Sequence, residues 1–118
     1  MRDHKSLVAW QVSNQVAREV LRLSRTRWRP SASALFHQLQ RASLSVQLNI
    51  AEGYALYGSP RFRYHIRIAY GSAVETTELL ELAAAERIIP PLESAPLVES
   101  AHRSERLLLG LLHKVGER

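Results

Sequence analysis

The stretch Leu35–Tyr57, LFHQLQRASLSVQLNIAEGYALY, decides the fold. At about 100° per residue, Leu35, Leu39, Ala42, Val46, Ile50, Gly53 and Tyr57 fall within an arc of roughly 80°. One face therefore stays apolar for about six helical turns. Leu44, Leu48, Ala51 and Ala55 form a second apolar strip almost opposite, extended by Leu56. A helix apolar on two sides is not satisfied by one layer of neighbours; it is either enclosed or shared between subunits. Those five residues are the candidate interface of a homo-oligomer.

Working outward, the spacing predicts a first helix from Asp3 to about Thr26, with Val8, Val12, Val16, Val20 and Leu23 as its apolar stripe. Pro30 stops it, and Ser31 or Ser33 is placed to cap the central helix. Gly58-Ser59-Pro60 ends that helix, with Ser59 as the next N-cap and Pro60 at the first helical position. A third helix carries Phe62, Ile66, Ala69, Ala73 and Leu80 on one face to about Glu86. Pro90-Pro91 breaks it and opens a fourth, whose core side is Leu97, Ala101, Leu108, Leu112 and Val115. Leu107, Leu109 and Leu111 are surplus. No stretch alternates with period two, and no hairpin dipeptide occurs. Short connections between long helices force antiparallel neighbours. The expectation is an all-α, up-down-up-down four-helix bundle forming one domain over residues 1–118.

A chain of 118 residues buries roughly two thirds of its unfolded surface, enough for a core without staples. Cysteine is absent, which removes disulfides and thiolate metal sites. The polar opening Met1–Lys5 does not resemble a secretory leader, and no apolar run approaches the roughly 20 residues of a membrane span. A cytoplasmic protein is expected. The formal charge is +5, from 16 Lys and Arg against 11 Asp and Glu. Only Lys5 and Lys114 are lysines, so arginine, the better donor to phosphates and carboxylates, supplies the rest.

The first 29 residues hold seven cations against two anions, and Arg18, Arg22 and Arg25 line up as a basic stripe. Antiparallel packing would set that stripe beside Glu78, Glu81, Glu86, Glu93 and Glu99, giving ordinary surface pairs. The opposite pole would collect Arg2, Lys5, Arg61, Arg63, Arg67, Lys114 and Arg118, offset only by Asp3, Glu52 and Glu117. Arg61 and Arg63 also sit at a helix N-terminus, where the macrodipole disfavours cations. These seven residues are the candidate nucleic-acid-binding set, with Arg18, Arg22 and Arg25 as the second. His4, His65 and His113 lie near the same pole and would add charge below about pH 6.5. The plainer account is a solvated, screened end.

No catalytic constellation emerges. The five histidines lack metal-ligand spacing, so no metal or cofactor is expected. Glu75, Glu78 and Glu81 recur along one helix face, as solvated or arginine-pairing carboxylates do. Ser43, Ser45 and Ser72 lack a nucleophile elbow. Gly53 and Gly71 fall inside helices, where glycine costs about 1 kcal/mol against alanine, which points to close helix approach. Asn49 and Glu52 read with Gly53 as a structural polar motif, Glu52 answering an arginine of an adjacent helix or subunit. Tyr64 between Arg63 and Arg67, with Tyr57 nearby, is the one local instance of a ring among cations. The chain is expected not to be an enzyme.

Leu7-Val8-Ala9-Trp10-Gln11, Gln38-x-x-Arg41-Ala42-Ser43-Leu44-Ser45-Val46, Asn49-Ile50-Ala51-Glu52-Gly53 and Ile68-Ala69-x-Gly71-Ser72-Ala73 with Glu75 together carry a resemblance. Nearly the whole chain resembles the small four-helix-bundle proteins encoded in intervening sequences of large-subunit ribosomal RNA genes. The resemblance implies a bundle that associates into a ring, with homopentamers among the members. It also implies kinship with the accessory variability protein of diversity-generating retroelements, a basic bundle that binds nucleic acid and a reverse transcriptase. Two departures stand out: Tyr54–Pro60 is more apolar than the family's basic turn, and Thr76-Thr77 replaces a more apolar pair.

Two functions follow as expectations. One is an oligomeric bundle that binds RNA or DNA electrostatically. The other is a scaffold that docks a protein partner through Leu44, Leu48, Leu56 and the surplus leucines of the fourth helix.

Overall fold

A computed structural model of the chain describes the backbone of residues 3–116 and the side chains of residues 3–114. Arg2, Glu117, Arg118 and the Val115 side chain lie outside the described residues. Four α-helices make up the fold: α1 (Val8–Thr26), α2 (Ser33–Ala55), α3 (Arg61–Ala85) and α4 (Pro91–Gly116). No strand occurs among the described residues.

The chain enters α1 later than its apolar spacing predicts. Asp3 does cap a turn, its side chain accepting from the Lys5 N–H, but that turn is the 3-10 segment His4–Ser6. The Ser6 hydroxyl donates to the Asp3 carbonyl at 2.8 Å, and Leu7 is then extended (φ −79°, ψ 128°). Local side-chain bonds of this kind compete with helix propagation. Val8 consequently lies off the core at 44% exposed, and Ala9 takes its place beside Val12, Val16, Val20 and Leu23.

Neither Ser31 nor Ser33 caps α2. A 3-10 turn, Pro30–Ala32, leads in instead, and the position before the helix is Ala32, without a side-chain cap. Its core face is Leu39, Ala42, Val46, Ile50 and Gly53, as the periodicity predicts, but it opens on Phe36 rather than on Leu35, which is only partly buried. Tyr57 is not on that face: the helix ends at Ala55, and Gly58 turns the chain through a left-handed φ of 94°. Ser59 accepts from the Arg61 N–H at 3.2 Å as α3 begins.

In α3 the expected Phe62, Ile66, Ala69, Ala73 and Leu80 are buried, together with Thr76 and Thr77. Both threonine hydroxyls donate back to carbonyls one turn earlier, so their burial leaves no orphan donor. The single Thr77 hydroxyl proton is shared between that carbonyl and the Glu105 carboxylate of α4. The exit from α3 places Arg87 at φ 55°, a conformation that usually calls for glycine. The Ile88 N–H returns to the Ala83 carbonyl at 2.8 Å, closing the helix end.

The interior divides into two clusters, each drawing on all four helices. One gathers Val16, Val20, Leu23, Phe36, Leu39, Leu80, Ile89, Leu97 and Ala101. The other gathers Ala9, Val46, Ile50, Phe62, Ile66, Ala69, Leu108 and Leu112. Helices α1 and α3 each pack against both α2 and α4. The molecule is 45 Å long and about half that across, so the two clusters define two ends.

Candidate nucleic-acid interface

One end brings together the start of α1, the α2–α3 turn and the last turns of α4. Lys5, Arg61, Arg67 and Lys114 are exposed there, and Arg63 is half-buried. Across residues 3–12, 50–68 and 108–114 these five cations face only Asp3 and Glu52. None of the five forms an ion pair among the described residues. The Nε of Arg63 is enclosed and has no hydrogen-bond partner. Arg63 and Arg67, with Pro60, Tyr64 and Ile68, line an open depression of about 540 Å³.

The other end carries six arginines against three here, with a different outcome. Across residues 18–36 and 78–100, six cations face six anions. The Arg22 guanidinium bridges Glu19 of its own helix and Glu93 of α4, at 2.5 and 3.0 Å. Arg27 donates from Nε to the same Glu93 at 2.7 Å. The hydrogen bonds from Arg22 and Arg27 hold the Glu93 carboxyl below its ordinary pKa, and that from Arg22 does the same for Glu19. Arg22 itself is pushed upward by Glu19 and Glu93.

The expectation that five glutamates answer the stripe needs correction. Among the described residues only Glu93 reaches it from another helix; Glu81 lies 3.7 Å from His102, and Glu99 lies 3.7 Å from Arg106. Arg18 and Arg25 point almost directly away from the core stripe of α1, where neither neighbouring helix can meet them.

The polar motif of α2 serves packing. Asn49 donates from Nδ2 to the Ser45 carbonyl and hydroxyl, at 2.9 and 3.1 Å. Its Oδ1 therefore accepts, and the buried His65 of α3 donates to it from Nδ1 at 3.0 Å. Ser45 and Ser72 meet at 2.8 Å in the same seam, and Gln38 donates to Glu75 further along. His65 is thus committed to the helix seam, away from the solvated surface where it was expected to add charge. Glu52 is exposed and pairs with no arginine of its own chain among the described residues.

The two helical glycines separate. A Cβ on Gly53 would sit 3.2 Å from the His65 Cβ and 3.4 Å from the Phe62 carbonyl oxygen, so close approach explains it. Gly71 is exposed, and a Cβ there would meet nothing within 4 Å, which removes the packing account for that position.

On the outer side of α2, Leu48 is 54% exposed and Ala55 is exposed, while Leu44 and Ala51 are partly covered. Leu56 is exposed beyond the helix end. Sequence reasoning missed two features. Trp28, between Arg27 and Arg29, is 51% exposed, and the alternation Arg-Trp-Arg was the available signal. Tyr54, Tyr57 and Phe62 form one ring cluster at the basic end, with centroids 5.0–5.7 Å apart.

Residues 5–110 match the model of the family described as 23S rRNA-intervening sequence protein. The chain belongs to that family. Comparison with curated proteins gives no match. The family match takes in α1, α2 and α3 whole and α4 as far as Gly110, four residues before Lys114. No helix among the described residues is long and apolar enough to cross a membrane.

Proposed function

We propose that this member of the family is a non-enzymatic, single-domain, cytoplasmic bundle that holds RNA or DNA electrostatically at its basic end. The observation that carries this is the unanswered charge: five cations at one end lack any ion-pair partner among the described residues. Cations left without carboxylates are free to displace counterions from phosphates, which is the main source of non-specific nucleic-acid affinity. The family's name ties it to ribosomal RNA genes and is consistent with such a partner.

The reading includes an up-down-up-down topology. Support comes from the α2–α3 seam, where Gln38, Ser45 and Asn49 meet Glu75, Ser72 and His65 in descending order. It also includes self-association, as a homopentamer in the form the resemblance implies. The half-exposed strip Leu44, Leu48, Ala51, Ala55 and Leu56 supports this, because covering it requires another chain. The same strip favours a second reading, a scaffold for a different protein partner with no nucleic-acid ligand.

Salt-titrated binding of RNA and DNA separates the two readings. Wild-type binding that steepens as salt falls, and is lost in the Arg61→Ala, Arg63→Ala, Arg67→Ala variant, supports the first. Retention unchanged in that folded variant would overturn it. Light scattering tests the assembly: a mass near five times 13.4 kDa is expected, and a monomer at micromolar concentration contradicts it.

A further inference from the structure

The α2–α3 turn and the last turns of α4 border a half-open recess of about 260 Å³, lined by Tyr54, Tyr57, Phe62, Leu111 and Lys114 together with Gly58 and Ser59 of the turn. We propose that this recess receives one unpaired base of a single-stranded nucleic acid, stacked on Tyr57, with the adjoining phosphate at Lys114. The inference rests on the electrostatic reading above and adds to it a stacking subsite.

The rings are arranged for this. Phe62 is buried and forms the floor, meeting Tyr54 and Tyr57 edge-on, each at 5.0 Å. Tyr57 stacks on Tyr54 at 5.7 Å with 25° between the planes. Yet Tyr57 remains 62% exposed. A solitary surface tyrosine loses side-chain freedom when a ligand orders it. Here two neighbouring rings already fix Tyr57, so less of that freedom remains to be lost.

Size and charge select the occupant. The space lies below the roughly 300–1,000 Å³ typical of pockets for drug-sized molecules, which suits a single planar ring. A purely apolar guest would gain nothing from the Lys114 ammonium in the lining. An anionic strand with a flat base meets both features at once. A base inside a duplex cannot present its face, so the preference is for single strands.

The test measures binding of a labelled homopyrimidine strand of about eight nucleotides, and of a duplex of equal length, over a range of salt. Tyr57→Ala is expected to weaken the single strand roughly tenfold with an unchanged salt slope, leaving duplex affinity unaltered. Tyr57→Phe keeps the ring and should bind like wild type. Lys114→Ala should lower the single-strand slope by about 0.7, the loss of one phosphate contact. Wild-type affinity in Tyr57→Ala, while the triple arginine variant still loses binding, would overturn the recess and leave the electrostatic reading standing. A tenfold loss in Tyr57→Phe would also overturn it, because the hydroxyl and not the ring face would then be responsible. No binding by wild type at low salt removes both.

Discussion

The two ends of the bundle carry similar numbers of cations and differ in what those cations meet. At the α1–α2 end, Arg22 and Arg27 converge on Glu93, and six cations are balanced by six anions. At the α2–α3 end, five cations have two acidic neighbours in the sequence and no ion pair among the described residues. Local arginine density is therefore a poor guide to a binding surface. Unanswered charge is the better one, because a carboxylate already at the guanidinium competes with any phosphate.

Packing gives the largest test of this contrast. Phe36, fully buried in the first cluster, should cost about 3–5 kcal/mol when replaced by alanine, read by denaturant unfolding. Phe62→Ala should fall at about 3 kcal/mol, because its cluster adjoins the open recess and has room to relax. Equal costs would mean that the basic end is packed as tightly as its opposite.

Charge gives the next. If each of Arg61, Arg63 and Arg67 meets one phosphate, removing all three lowers the salt slope on duplex DNA by about 2.7. That corresponds to a loss of roughly a hundredfold or more at moderate salt. The matched Arg18→Ala, Arg22→Ala, Arg25→Ala variant should lower the slope by no more than about 1.8, since Arg22 is held by two carboxylates and, among the described residues, only Arg18 and Arg25 of the three are unpaired. A larger loss in the second variant would reverse the assignment of the two ends.

Smaller effects come from the glycines. Gly53→Val, beside the basic end, should destabilise by about 1–3 kcal/mol through overpacking against His65. Gly71→Ala should instead stabilise by up to about 1 kcal/mol in thermal melts.

Acid gives the smallest. Glu19 and Glu93 are held below the ordinary carboxylate value near 4.5, so their contribution is complete above that pH. It is lost as pH falls through the depressed folded values. Glu93→Gln should flatten that acid limb slightly, since these are half-buried surface groups still reached by water.

Much of the fold was legible. The middle of the α2 face, Leu39 to Gly53, and the α3 face matched their periodicity, since a packed helix must repeat its apolar side every 3.6 residues, while Leu35 and Tyr57 at the two margins of α2 did not. The ends were less so: Leu7 breaks the first helix and Ala32 stands where a serine cap was expected, because short-range turn geometry competes there on nearly equal terms. At the candidate site, the cations of the basic end were named in advance by position. The ring cluster was not, because Tyr54, Tyr57 and Phe62 converge only once Gly58 turns the chain between them.

Sequence alone determined four helices, their inward faces and an excess of arginine. Tertiary structure decided which arginines are neutralised and that Tyr57 leaves the core face to cover a recess. The physical reason is range. Helical periodicity is a property of neighbouring residues, whereas the Glu93 bonds to Arg22 and Arg27 join positions 71 and 66 residues apart and depend on how each helix is rotated against the next.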